Sequence, residues 1–384
     1  MTHPALDQNP IYLDYNATTP IDPAVLDGMT QYLSAHFGNP SSTHFYGRAP
    51  RAAIATARER VAHLLDSTPE EIIFTGSGSE SNTLALRGTA LMYRDRGNHI
   101  ITQQTEHPAV LEACRSLERL HQFRVTYLPV DHYGQVSPAA LEAALTPDTV
   151  LVSIMYANNE TGTIQPISAL ASIAHRHGVL FHTDASQAVG KVPVRVSELG
   201  VDLLTIAGHK LYAPKGIGAL YIRRGLDLEP SIYGASQEQG RRAGTENVAF
   251  MVALGIACLL AQKHLGSPRL QELRDLLQQR LEHLLPGLVH LNGHPSERLP
   301  NTLNVSIDGT IGEQVLAATP EIAASTGSAC HEGMAEPSEV LLAMGLSQQR
   351  AMAALRLSLG RWTTEEEVEQ AARAIARSAL ALRE

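Results

Sequence analysis

Lys210 closes the apolar run Asp202-Leu-Leu-Thr-Ile-Ala-Gly-His-Lys210, in a chain whose only other lysines are Lys191, Lys215 and Lys263. An amine there can condense with a carbonyl compound, although most strand-end lysines, and Lys215 in its turn, are simply solvated. Upstream, Phe181-His-Thr-Asp-Ala-Ser-Gln187 ends another apolar run with a carboxylate, and Thr75-Gly-Ser-Gly-Ser79 forms a glycine-rich turn before a helical pattern. Amine, carboxylate and anion cradle are together what pyridoxal 5'-phosphate requires. Its aldehyde condenses with lysine, its ring nitrogen pairs with an acid, and its phosphate sits on N–H groups at a helix start. Each group also has a plain structural use. Asp184 can cap the turn after it, and the glycine-rich turn can be an ordinary strand-to-helix connection.

Further residues could join this chemistry. His107, in Thr105-Glu-His107, follows an apolar run, where a near-neutral imidazole can stack on a ring and move protons or can belong to a surface loop. Gly76 and Gly78 allow close approach to an anion, but Ser81 stands where a dinucleotide fingerprint has its third glycine, so a single phosphate suits the turn better. Arg356 interrupts the apolar run Leu355-Arg-Leu-Ser-Leu359, and its charge needs either a substrate carboxylate or an internal acid. Cys114 and Cys258 fall in helical apolar patterns and read as small buried hydrophobes. Cys330, in Ser325-Thr-Gly-Ser-Ala-Cys-His-Glu-Gly333, lies in a polar glycine-flanked stretch where a thiol can act as a nucleophile.

The elements that must position these groups are strand-length apolar runs alternating with amphipathic ones. Runs at 72–75, 99–102, 124–128, 150–155, 179–182, 203–206 and 218–222 predict a mostly parallel sheet, with helices over 51–65, 81–95, 109–121, 167–177 and 247–265 as its layers. From Leu270 the texture changes to a charged helix, strands at 301–307 and 355–358, and a last helix over 364–382, which predicts a smaller α+β unit. The fold class expected is therefore α/β. A formal charge of -9 with no lysine-rich block argues against direct nucleic-acid binding. No apolar run of membrane length and no signal-like start occur, so a cytoplasmic protein away from membranes is expected. Three cysteines far apart fit neither a disulfide framework nor a metal site.

Taken in order, Leu13-Asp-Tyr-Asn-Ala-Thr-Thr-Pro20, Phe37-Gly-Asn-Pro-Ser41, Thr105-Glu-His107, Asn158-Asn-Glu160, Asp184-Ala-Ser-Gln187, Gly208-His-Lys210, Arg242-Ala-Gly-Thr245, Gly327-Ser-Ala-Cys330 and Arg356-Leu-Ser-Leu-Gly-Arg361 resemble the cysteine desulfurase family. These are class V aminotransferase relatives within the fold-type I pyridoxal-phosphate enzymes. The resemblance implies a large cofactor domain over 15–262 and a small domain from 1–14 and 263–384 that carries the cysteine segment. It implies that Lys210 holds pyridoxal phosphate covalently, Asp184 pairs with the ring nitrogen, Gln187 touches the phenolic oxygen and His107 stacks on the ring. Gly78, Ser79 and His209 would bind the phosphate, with Thr245 reaching that of the other subunit in a homodimer. Asn159 would serve cofactor and substrate, and Arg356 would grip the carboxylate of L-cysteine. Cys330 would take the sulfur as a persulfide and leave alanine, for delivery to an acceptor protein such as an iron–sulfur scaffold or a thiolation protein.

Two departures stand out. Ala207 occupies a place where many family members have a phosphate-binding serine, and Gly234-Ala-Ser236 replaces a glycine triplet. The length of His331-Glu-Gly-Met-Ala335 matches the members that hand sulfur directly to proteins. A selenocysteine lyase, a plain class V aminotransferase and a non-catalytic cofactor-binding platform in a sulfur-transfer complex are the alternative readings.

Overall fold

The computed structural model describes residues 3–7, 10–327 and 336–383. Seven strands form the main sheet: β1 (Ile72–Thr75), β2 (His99–Gln103), β3 (Arg124–Leu128), β4 (Thr149–Ser153), β5 (Leu180–Asp184), β6 (Leu203–Ala207) and β7 (Gly218–Ile222). Every residue of β1, β2 and β4 to β7 is buried, as runs apolar on both faces require, whereas β3 sits at an edge and is partly exposed. The strand order is β1-β7-β6-β5-β4-β2-β3.

All pairings from β6 to β3 are parallel, while β7 runs antiparallel to both of its neighbours. Two reversals restore direction, so β1 points the same way as β5 and β6 and their carboxyl ends share one rim. In open α/β sheets that rim is where ligands bind. Gly218 pairs with both Thr75 and Ala207 at this edge. A Cβ there would come within 2.7 Å of the Ser77 carbonyl carbon and 2.8 Å of the Ile206 oxygen, so the close approach needs glycine.

Side-chain alternation divides the core into two layers. Phe74, Val152, Phe181, Leu204 and Ile206 pack on one face with Leu65 of α1 (Phe45–Leu65) and Val252 from the helix Val248–His264. Ile73, Leu151, Leu180 and Leu203 pack on the other with Leu84 of α2 (Gly78–Met92) and Leu117 of α3 (Pro108–His121). Each such fully buried side chain contributes about 1.5–3 kcal/mol.

A second cluster forms around the antiparallel strands β8 (Val289–Leu291), β9 (Thr302–Ile307) and β10 (Ala354–Ser358). Leu273, Leu277 and Leu281 of one helix and Val368 and Ile375 of the last helix, Glu365–Ala381, cover it, and Leu13 joins the same core. That last helix starts on a capping box between Thr364 and Glu367.

α1 starts six residues earlier than expected, at Phe45 rather than Arg51. Gly47 and Pro50 within it read as breakers, yet Arg51 braces the start by donating to the Pro40 and Ser42 carbonyls. β8, only three residues long, was not anticipated because so short a run shows no period. Among the described residues no single helix is long and apolar enough to cross a membrane.

Candidate active site

Where β1, β5 and β6 end, a cavity of about 390 Å³ opens. Gly78 and Ser79 line one part of it, followed by His107, Asn159, Asp184, Gln187, His209, Lys210 and Arg356. Among the described residues Asp184 is the one carboxylate in the wall, set against Lys210, Arg356 and two histidines. The balance favours an anionic occupant.

The glycine-rich turn leads straight into a helix start. Ser77 caps α2, accepting from Glu80 N–H at 3.0 Å, and Ser77 carbonyl takes the Ser81 N–H. Gly78 and Ser79 are the first two residues of the helix, and first-turn amides have no intrahelical partner. A Cβ on Gly78 would lie 3.0 Å from Ala207 Cβ and 3.2 Å from Ser186 Oγ, so residue 207 borders the same cradle. An Ala207→Ser variant would offer a phosphate in this cradle one more donor and is expected to tighten its binding by about 1 kcal/mol, roughly fivefold, read by titrating the protein with pyridoxal 5'-phosphate. Unchanged or weaker binding would contradict that placement.

Lys210 ends a single 3-10 turn, Gly208–Lys210, at the tip of β6. Its Nζ donates to the carbonyls of Asn16 and Ala17 at 2.5 and 2.7 Å. Burial, reinforced by the positive charge of Arg356, lowers its pKa to about 8. Asp184, at the tip of β5, uses both oxygens: Oδ2 accepts from Asn82 Nδ2 at 2.7 Å and Oδ1 from the Ser186 N–H at 2.9 Å. The turn-capping use thus coexists with a carboxylate in the cavity wall.

His107 is the N-cap of α3, its Nδ1 accepting from Ala109 N–H at 3.1 Å. That bond assigns the ring proton to Nε2 and would be lost on protonation of Nδ1. Burial lowers its pKa, and Lys210 adds to the effect against the opposing charge of Asp184. His209 contacts Thr18 Oγ1 through Nδ1 at 3.2 Å, and burial with the neighbouring lysines lowers its pKa to about 4.

Gln187 donates from Nε2 to the Asn16 carbonyl at 3.0 Å and accepts from Lys191 Nζ at 2.6 Å. Asn16 is the common tie, because its side chain also accepts from Lys191 and Asn301 and donates to Thr302 and the Asn159 carbonyl. Lys215 is exposed.

Arg356 meets both of its expected descriptions. Nη2 donates to Asp14 Oδ1 at 2.8 Å, an internal ion pair, while Nε is buried with no partner among the described residues. A cavity-lining guanidinium with a spare donor can take a substrate carboxylate. Thr245 is exposed and outside this cavity, and Cys330 lies outside the described residues.

Sequence reasoning assigned no role to Asn82, Ser186 or Asn16. Asn82 follows Gly78 by four positions, one helical turn, which is a signal that could have found it. Asn16 carries no local signal, since its partners lie more than a hundred residues away.

The aminotransferase class-V family matches residues 11–371. The cysteine desulfurase IscS of Dictyoglomus turgidum is 48% identical over 362 residues, covering 93% of this chain and 91% of that protein. Among solved structures, a NifS-like protein superposes with a TM-score of 0.89 at 37% identity, covering 96% of this chain and 98% of its own. SspA in complex with cysteine gives a TM-score of 0.81 at 36% identity, covering 92% of this chain and all of that one, 100%. The chain belongs to the aminotransferase class-V family, as one of its cysteine desulfurases.

Proposed function

We propose that the protein is a pyridoxal-phosphate-dependent cysteine desulfurase that converts L-cysteine to L-alanine and holds the sulfur on Cys330 for transfer. One observation carries the reading: a buried amine of lowered pKa, a carboxylate and a helix start with free amides face one cavity at the ends of three strands. These residues fit the cofactor in kind and number. Gly78, Ser79 and His209 would hold its phosphate, Asp184 its ring nitrogen, Gln187 its phenolic oxygen and Lys210 its aldehyde carbon. The exposed Thr245 is left to serve the phosphate of a second subunit. When bound, pyridoxal phosphate supplies a carbonyl that exchanges amines and a ring that accepts electron density from the substrate Cα.

The remaining work falls to the chain. Arg356 receives the substrate carboxylate on its cavity-lining guanidinium, with Asp14 fixing the guanidinium plane and Asn159 beside it. Lys210 Nζ, unprotonated in a useful fraction near neutral pH, takes the Cα proton. His107 presents Nε2–H to the cavity. Asp184 would stabilise positive charge on the cofactor's ring nitrogen. Cys330 thiolate bonds to the substrate sulfur while the Cβ–S bond breaks, and the electron pair with a proton ends on Cβ as alanine. No external oxidant is required.

Arg356→Lys loses the planar fork, so KM for L-cysteine is expected to rise about 10- to 100-fold. A steady-state titration with an unchanged KM would place the carboxylate elsewhere.

The same reading makes the enzyme a homodimer, supported by the exposed aromatic cluster of Phe37, Phe45 and Tyr46, 72%, 76% and 58% accessible. It divides the chain into a large cofactor domain over 15–262 and a small domain from 1–14 and 263–384, supported by the separate cores around β1 to β7 and β8 to β10. A reducing, cytoplasmic setting is supported by Cys114 and Cys258, both free and buried. An acceptor thiol on a partner protein, an iron–sulfur scaffold or a thiolation protein, collects the sulfur.

Loading the purified protein with cofactor and adding L-cysteine should release alanine and leave one extra sulfur atom on the protein, measured by amino-acid analysis and intact mass. Release of alanine from selenocysteine alone would assign the enzyme to selenium chemistry instead.

A further inference from the structure

Ser325 and Gly327 lead into the stretch of sequence that contains Cys330, and Ser338 follows it. Ser325 bridges to Arg356, its carbonyl accepting the Arg356 N–H at 2.7 Å, so the incoming chain is fastened to the strand bearing the cavity guanidinium. Beyond that bridge, both sides meet one side chain. Ser338 Oγ accepts from Leu341 N–H as the cap of the short helix Glu339–Ala343 and donates its own proton to Glu160 Oε2 at 2.5 Å. On the other side, Gly327 has φ 89° and packs so tightly that a Cβ would lie 2.8 Å from the same oxygen.

Glu160 is itself firmly seated. It is 8% exposed, its N–H donates to Asn158 Oδ1 at 2.9 Å, and its carbonyl accepts from Asn304 at 3.2 Å. It directly follows Asn159, which lines the cavity. A buried carboxyl costs free energy unless it is bonded. Here burial pushes its pKa up to about 7, against the Ser338 bond and the charge of Arg356.

We propose that Glu160 is a positioning residue for sulfur transfer: by bonding Ser338 and packing against Gly327 beside Asn159, it holds the two points between which Cys330 must reach the substrate sulfur. This rests on the reading of Cys330 as the nucleophile. Tying both ends of a chain reduces the volume its middle explores, and a reacting atom displaced by about 1 Å can cost on the order of a hundredfold in rate. Glu160 is not among the residues that line the cavity, so its removal should separate two steps that a general loss of structure would change together.

The test uses cofactor-loaded protein mixed rapidly with L-cysteine. The cofactor absorbance change reports substrate engagement, and quenched intact-mass measurement reports sulfur on the protein. In Glu160→Ala the absorbance change should stay within about threefold of the parent rate while persulfide formation falls about tenfold or more. Glu160→Gln keeps an acceptor of the same length for Ser338 Oγ and should restore persulfide formation to within about threefold. Gly327→Ala, which forces a methyl group against Glu160, should reproduce the selective loss and carries the test if Glu160→Ala does not fold. Persulfide formation at the parent rate in both Glu160→Ala and Gly327→Ala would overturn the proposal, as would equal loss of both signals or failure of Glu160→Gln to restore the step. A parent protein that releases alanine without gaining sulfur would instead overturn the underlying role of Cys330.

Discussion

Lys210→Ala is expected to lower alanine release from L-cysteine by about 10⁴-fold or more, because on the proposed function cofactor attachment and proton transfer fall on the same amine. Nζ rests on the Asn16 and Ala17 carbonyls, two uncharged acceptors that orient the amine without an ion pair to hold its proton. Lys210→Arg preserves positive charge but cannot lose a proton in water, so it should be equally inactive.

The lowered pKa gives this prediction a pH dependence. Only unprotonated amine condenses with an aldehyde. With a pKa of about 8 rather than the usual 10.5, the reactive fraction at pH 7 is about one in ten instead of about one in three thousand. Covalent loading of the apo-protein should therefore speed up as pH rises and level off above about 8. A rate still climbing beyond pH 10 would show an ordinary, solvated lysine.

Cys330→Ala is expected to reduce sulfur release and steady-state alanine production by about 10³-fold or more, since on the proposed function Cys330 is the group that accepts the sulfur. Cofactor loading and the absorbance change on adding cysteine should survive. The other two thiols make poor substitutes. Cys114 and Cys258 are fully buried, and desolvation raises both, Cys258 to about 12. Cys114→Ala and Cys258→Ala should leave persulfide formation unchanged in intact-mass measurements. Full turnover by Cys330→Ala would instead mark a class V enzyme that needs no sulfur nucleophile.

The main sheet was legible because its strands are continuous apolar runs, and Asp184 and Lys210 stand out as the first charges where those runs stop. The direction of β7 was not. A continuous apolar strand carries no mark of parallel or antiparallel pairing; only because β7 is antiparallel to both neighbours does β1 keep the direction of β6 and leave the Thr75 turn at the same rim as Lys210. Arg356 was legible as a charge needing a partner, but its sharing between Asp14 and the cavity depends on an N-terminal segment 342 residues away in sequence. Asn16 and Glu160 stood inside motifs that carry the resemblance but received no role, for a related reason. Their bonds run to residues far along the chain, and a neutral amide or a lone acid in a polar stretch has no periodicity to betray it. Ala207 shows the converse, a single small residue whose meaning comes from its contact with Gly78.

Borohydride reduction of the cofactor-loaded protein, followed by proteolysis and mass spectrometry of every lysine-containing peptide, tests the central claim most directly. The reduced pyridoxyl group should be found on Lys210 alone. Its appearance on Lys191 or Lys215, or on no lysine in a protein that still desulfurates cysteine, would contradict the account.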